Sequence, residues 1–80
     1  MIINSVGKYS YWERDTRWYY CEICQDLFEN WIVRRAWGDK ISRRSGGKEH
    51  LCESLEEAEK LYEYVLKRRK SHKYERKEEF

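Results

Sequence analysis

The residues best equipped to grip a ligand meet in one stretch, Trp31 to Gly38, which reads Trp-Ile-Val-Arg-Arg-Ala-Trp-Gly. An indole offers a flat face on which any base or sugar can pack. A guanidinium matches phosphate oxygens with two parallel hydrogen bonds. Successive strand residues point to opposite faces, so Trp31, Val33, Arg35 and Trp37 share one face and Ile32, Arg34 and Ala36 the other. Of the two arginines, Arg35 is therefore the one that can act beside Trp37. With an arginine on each face, one face should meet a core and the other solvent or a ligand. The stretch alone leaves open which is which. The competing role for Trp37 is to fill a sheet–helix interface, as large aromatics do in small cores.

More positive charge follows. Lys40 lies just beyond the glycine, and Ser42-Arg43-Arg44-Ser45-Gly46-Gly47 reads as a flexible basic loop. Arg43 and Arg44 there could approach a phosphate closely. The run Lys67-Arg68-Arg69-Lys70 is the densest positive charge in the chain, with Lys67 and Arg68 the candidate phosphate contacts. A basic helix end is also favoured by the helix dipole alone. Lys40, Arg35, Trp37, Arg43, Arg44, Lys67 and Arg68 thus form the candidate nucleic-acid-binding set.

Other chemistry finds little footing. Cys21 and Cys24 have the spacing of half a zinc site. Their neighbours Tyr19, Tyr20, Glu22, Ile23 and Gln25 are strand-like, which puts the two thiols on opposite faces. Cys52, His50 and His72 make no second knuckle. His50 and His72 have no nucleophile beside them in the pattern a catalytic site requires. No enzyme activity, metal, cofactor or small-molecule substrate is therefore expected.

Eighty residues make one small domain, with a charged fraction of 40% but four Trp, seven Tyr and two Phe. That aromatic content argues against disorder. The net charge of +2 excludes a polycation that grips nucleic acid indiscriminately. No run has the length of a membrane span, and the opening Met-Ile-Ile-Asn-Ser-Val lacks a signal peptide's basic start. Three cysteines, an odd number, suit a reducing, cytoplasmic setting.

The elements that must position these residues follow in order. Tyr9, Tyr11 and Trp12 suggest a short strand or aromatic-anchored arm, with Trp12 and Trp18 as further possible stacking platforms. Residues 18 to 25 form a strand with Tyr19, Cys21 and Ile23 toward the core. Asp26 to Asn30 make a hairpin turn, and its Leu27 and Phe28 are expected to fold over an edge of the core. After Trp31 to Gly38, a short third strand runs from Lys48 to Cys52, with Leu51 its main apolar residue. Ser54-Leu55-Glu56-Glu57 is a capping box. It opens a helix to about Ser71 with Leu55, Ala58, Tyr62, Val65 and Leu66 on one stripe and Leu61 at its margin. Tyr74 is expected to fold back, and residues 75 to 80 to fray. The expected fold class is α+β: a small twisted antiparallel sheet of three to five strands with one C-terminal helix packed across it. The domain spans 1 to 80, with its core at about 9 to 74.

This order of elements resembles that of WGR domains. The resemblance rests on Tyr19-Tyr20, Asp26-Leu27-Phe28, Trp31, Val33, Arg34, Arg35, Trp37, Gly38, Ser42-Arg43-Arg44, Ser54 to Ala58 and Tyr74. It covers about residues 18 to 75. In poly(ADP-ribose) polymerases that detect DNA breaks, the WGR domain contacts DNA near a strand end. The motif tryptophan packs on the terminal nucleotide there, basic residues hold the backbone, and the domain relays binding to a separate catalytic domain. The tryptophan role falls on Trp37. Many bacterial proteins also carry WGR domains. Two positions depart from the pattern: the motif arginine is Asp39, which would repel phosphate, and the glycine two residues on is Ile41. The resemblance implies a non-catalytic module that binds nucleic acid, DNA before RNA. The alternative is a protein-interaction or regulatory module using the same Trp37/Arg35 face.

Overall fold

The computed structural model describes residues 8–79. Residues 1–7 and Phe80 lie outside the described residues. The order is β1 (Tyr9–Arg14), β2 (Arg17–Gln25), β3 (Trp31–Asp39), β4 (Ser45–Cys52), α1 (Leu55–Ser71) and β5 (Glu75–Glu79). The strands form one antiparallel sheet in the order β4-β3-β2-β1-β5. The helix packs against β2, β3 and β4. This is the expected α+β architecture. No helix among the described residues is long and apolar enough to cross a membrane.

Alternation assigns the faces. Tyr19, Cys21, Ile23 and Val33 sit under the helix and are buried with Ala58, Tyr62, Val65 and Leu66. Tyr19 pairs with Trp37 and Cys21 with Arg35, so Arg35 and Trp37 lie on the helix-covered face. The open question about β3 is settled: its core face and its candidate ligand face are the same face. Arg34, on the opposite side, is held by Glu49 at 2.8 Å and Glu22 at 3.5 Å. Cys21 and Cys24 are free, buried and separated by the sheet. Burial pushes the Cys21 thiol up to about 12.

The helix begins as its capping box dictates. Ser54 Oγ accepts from Glu57 N at 3.1 Å, and Glu57 reaches back to accept from Glu53 N at 2.8 Å. At the other end Lys73 takes a left-handed φ of 68°, its N–H donating to Lys70 O and that of Tyr74 to Arg69 O, both at 3.0 Å. This reversal returns Tyr74 against Tyr19, their rings edge to face at 6.4 Å. It also launches β5.

Several expectations need correction. The tail expected to fray is β5, paired to β1 from Glu75 onward. Its run Glu-Arg-Lys-Glu-Glu shows no apolar alternation, but the Arg76 guanidinium lies 4.8 Å over the Trp12 ring. Trp12 is buried, with its indole N–H donating to Ser10 Oγ at 3.0 Å, so it offers no outer stacking surface. β4 starts at Ser45, so half of the expected basic loop is strand. Leu27 and Phe28 stand out in solvent at 55% and 81% exposure instead of covering the core. Asp26 holds their turn by accepting from Phe28 N, Asn30 N and Asn30 Nδ2. Leu51 and Leu55 are exposed too; Cys52 is the β4 residue that enters the core.

A left-handed φ at Lys73 carries a steric cost that glycine escapes. Lys73→Gly should therefore raise stability by about 0.5–1 kcal/mol after the extra unfolded-chain entropy of glycine. The check is the urea midpoint at unchanged slope; a lowered midpoint would show that the Lys73 side chain contributes more than its backbone costs.

Candidate functional site

At the end of the sheet where α1 stops, half-buried Arg35 and Trp37, with the buried Tyr19 ring beneath them, line a groove. Its volume is about 640 Å³. Arg17, Arg35, Arg44, Arg69, Trp18 and Tyr74 are among its walls. Its floor is the Tyr19–Trp37 pair, neighbours across β2 and β3, stacked with centroids 5.9 Å apart and planes 16° from parallel.

Trp37 lies flat because its other neighbour is Gly46, across β4. A Cβ on Gly46 would come within 2.9 Å of the indole nitrogen. Gly38 plays the same part for Trp18 on the other face, where a Cβ would meet the indole ring at 2.7 Å. Gly38 is extended strand, not a turn, and among described glycines none has positive φ. Gly38 and Gly46 are each the bed for a neighbouring indole.

Arg35 is fixed by two neutral acceptors. Its Nε donates to His50 Nε2 at 3.1 Å and its Nη1 to the Tyr19 hydroxyl at 3.2 Å. The guanidinium carbon sits 5.7 Å from the Trp37 centroid. Burial, then the Arg35 and Lys48 charges, hold His50 below the usual imidazole value, which keeps it an acceptor. Arg69 enters from the helix, its guanidinium carbon 4.1 Å over Tyr19 and 5.1 Å over Tyr74. Its Nε is buried without a hydrogen-bond partner. Cations over aromatic faces gain from the ring quadrupole. Among the described residues no carboxylate lies within the 4.0 Å ion-pair distance of Arg17, Arg35, Arg44 or Arg69.

The structure brings Trp37, Arg35 and Arg44 together and sets the other candidates apart. Lys40 is ion-paired to Glu13 on β1, whose carboxyl this contact holds below its usual range. Arg43 takes a left-handed φ of 61° and closes the β3–β4 turn, its N–H donating to Asp39 O at 2.9 Å. Lys67 lies on the outer helix face beside Glu56, Glu59, Lys60 and Glu63. Arg68 lines a second, smaller cavity.

Arg69, Tyr19, Tyr74 and Arg17 complete the groove and lie outside the candidate binding set drawn from the sequence, which places Tyr19 in the core, Tyr74 in the chain's return and Arg69 in the basic run. Helical spacing carries the signal for Arg69, which follows Tyr62 by seven residues and Val65 by four, on the sheet-facing stripe.

Asp39, the departure from the WGR pattern, is committed to its own turn. Its Oδ1 accepts from Ile41 N at 2.8 Å and Ser42 N at 3.1 Å, and its Oδ2 from Thr16 Oγ1 at 3.1 Å. No protein-family model, curated protein or solved structure matches the chain.

Those bonds, Ser42 N first, hold the Asp39 carboxyl below its ordinary value. A depressed carboxyl contributes stability that is full above its unfolded pKa and lost as pH falls through the folded one. Stability should therefore drop below about pH 4. Asp39→Asn keeps an acceptor oxygen but cannot titrate, so its urea midpoint should change less than wild type between about pH 5 and 3. Equal changes in the two proteins would remove Asp39 from the acid response.

Proposed function

We propose that the groove binds nucleic acid, DNA before RNA, at an unpaired or terminal nucleotide, without catalysis. The observation that carries this reading is the pair Arg35 and Arg69 set beside stacked Tyr19 and Trp37 with no carboxylate partner among the described residues. The guanidinium groups would take phosphate oxygens, and the exposed part of Trp37 would pack on a sugar or base. A volume of about 640 Å³ falls in the range of small-ligand pockets. It suits a strand terminus better than a lateral grip on duplex. The WGR resemblance supports the same reading and assigns the packing role to Trp37. Asp39 lines the groove and stays ionised, but its carboxylate oxygens are turned to Ile41 N, Ser42 N and Thr16 Oγ1, so Arg35 and Arg69 are left to the phosphate. Free buried thiols at Cys21, Cys24 and Cys52 fit a reducing, cytoplasmic setting.

A protein contact is the second reading. Beyond the Trp37 face named by the sequence, it draws on Leu27, Phe28, Leu51 and Leu55, exposed at the opposite end of the sheet. An apolar contact there would persist in high salt.

Fluorescence anisotropy with a short single-stranded oligonucleotide tests the groove. Affinity should fall with a log–log salt slope of about −2 to −3 if three or four arginines neutralise phosphates. Trp37→Ala should weaken binding by about 5- to 150-fold, the equivalent of one stacked base. Arg35→Gln and Arg69→Gln should each make the slope shallower by about 0.7. Lys67→Gln and Arg43→Gly should bind as wild type. Equal losses in Lys67→Gln and Arg35→Gln would sink the groove assignment.

A further inference from the structure

Arg35 and Arg69 have a second side. Beyond them, between α1 and strands β3 and β4, lies a cavity of about 290 Å³. Its walls are Tyr19, Arg35, His50, Leu61, Tyr64, Val65, Arg68 and Arg69. Three of these carry guanidinium groups and none carries a carboxylate. Leu61 and Val65 supply an apolar side, which strengthens any charge interaction by excluding water. Arg68 is steered over this cavity by the Tyr64 ring, its guanidinium carbon 5.9 Å from the centroid.

We propose that this cavity is a binding site for a doubly charged phosphate-class oxyanion, held by Arg35, Arg68 and Arg69 with His50 as its proton-coupled fourth partner. The site goes beyond the nucleic-acid reading and does not depend on it, because inorganic phosphate or sulfate alone can test it. His50 is faced by Arg35 from β3, Lys48 from its own strand, Tyr19 from β2, and Tyr64, Arg68 and Arg69 from the helix. Without an anion this surrounding is wholly cationic or neutral, and His50 stays neutral and accepts from Arg35 Nε. A protonated imidazole would point N–H against N–H. A dianion that replaces the Arg35–His50 hydrogen bond and accepts from both nitrogens removes the conflict. Binding and protonation therefore help one another: the anion raises the His50 pKa, and by reciprocity the anion binds more tightly as pH falls.

The experiment is an NMR titration of the His50 imidazole with sulfate, which remains a dianion while histidine titrates between about pH 5 and 8. Wild type should show saturable shifts, a raised His50 pKa and tighter binding at the acid end. His50→Gln should still bind, with the pH dependence gone. Arg68 is exposed, so Arg68→Gln should fold normally and weaken binding about tenfold or more. Lys67→Gln removes the same charge one residue away, outside the cavity, and should stay close to wild type. Equal weakening in Arg68→Gln and Lys67→Gln, or His50 shifts that chloride reproduces at equal ionic strength, would overturn the site. Inorganic phosphate, an oligonucleotide with a terminal phosphate and the same oligonucleotide without it then identify the source. Tighter binding of either of the first two assigns the anion to the free ion or to a strand terminus. Equal His50 shifts from the unphosphorylated strand would overturn the dianion assignment.

Discussion

The packing of four elements on the ring of Tyr19 organises this domain. That ring stacks on Trp37 from β3, receives the edge of Tyr74 and carries the Arg69 guanidinium at 4.1 Å from α1. Its strand register sets it beside Trp12 on β1, and its hydroxyl accepts from Arg35. In a chain this short a core of aliphatic side chains alone would be thin. One large buried aromatic that serves sheet, helix end and chain return together reduces the number of residues that must be ordered. The consequence for function is direct: any ligand that moves Arg69 or Trp37 also presses on the contact that joins the helix end to the sheet.

Much of the architecture was legible because alternation and helical spacing are dictated by burial. β2 declares its face through Tyr19, Cys21 and Ile23, and α1 declares its stripe through Ala58, Tyr62, Val65 and Leu66. β5 is hidden because it gains from edge pairing and an arginine over an indole, neither of which leaves an apolar pattern. The Ser45 end of β4 is hidden for a different reason. Glycines usually signal a loop, yet Gly46 is required in the strand because Trp37 occupies the space of its side chain. Gly38 similarly looks like a turn residue until Trp18 is seen lying on it. The rule that recovers both is steric: a glycine facing a tryptophan across a strand pair can be a packing position.

The site was legible in the same proportion and for the same reasons. Arg35 and Trp37 share a face by strand parity, which sequence alone provides. The hydrogen bonds that commit Arg43 and Asp39 to the turn, and the ion pair that occupies Lys40, depend on the path of residues 40 to 44 and on Glu13 arriving from β1. Charge in a loop was therefore a poor guide to charge in the site. Arg69 shows the converse. A basic run at a helix end looks uniform in sequence, but a 100° step per residue sends Lys67 among carboxylates, Arg68 toward one cavity and Arg69 onto Tyr19.

The strongest case for a ligand comes from comparing two adjacent residues. Arg34 and Arg35 share a strand, a side chain and a register, and differ in which face of the sheet they meet. Arg34 is compensated: Glu49 takes two of its nitrogens at 2.8 Å and Glu22 a third at 3.5 Å. Arg35 is positioned as firmly, but by an imidazole and a phenol that accept its protons without cancelling its charge. A chain that supplies fifteen carboxylates has no shortage of partners. Holding a half-buried guanidinium with neutral acceptors costs stability that a glutamate at position 50 would return in part. That cost has a physical counterpart in binding, because a charge left uncompensated and fixed in direction is what attracts and orients an anion from solution. The same holds for Arg69, whose guanidinium lies over the Tyr19 and Tyr74 rings without a carboxylate partner among the described residues. The two faces of one strand thus give two arginines different settings, one closing an ion pair with carboxylates and the other held by neutral acceptors with no carboxylate partner among the described residues.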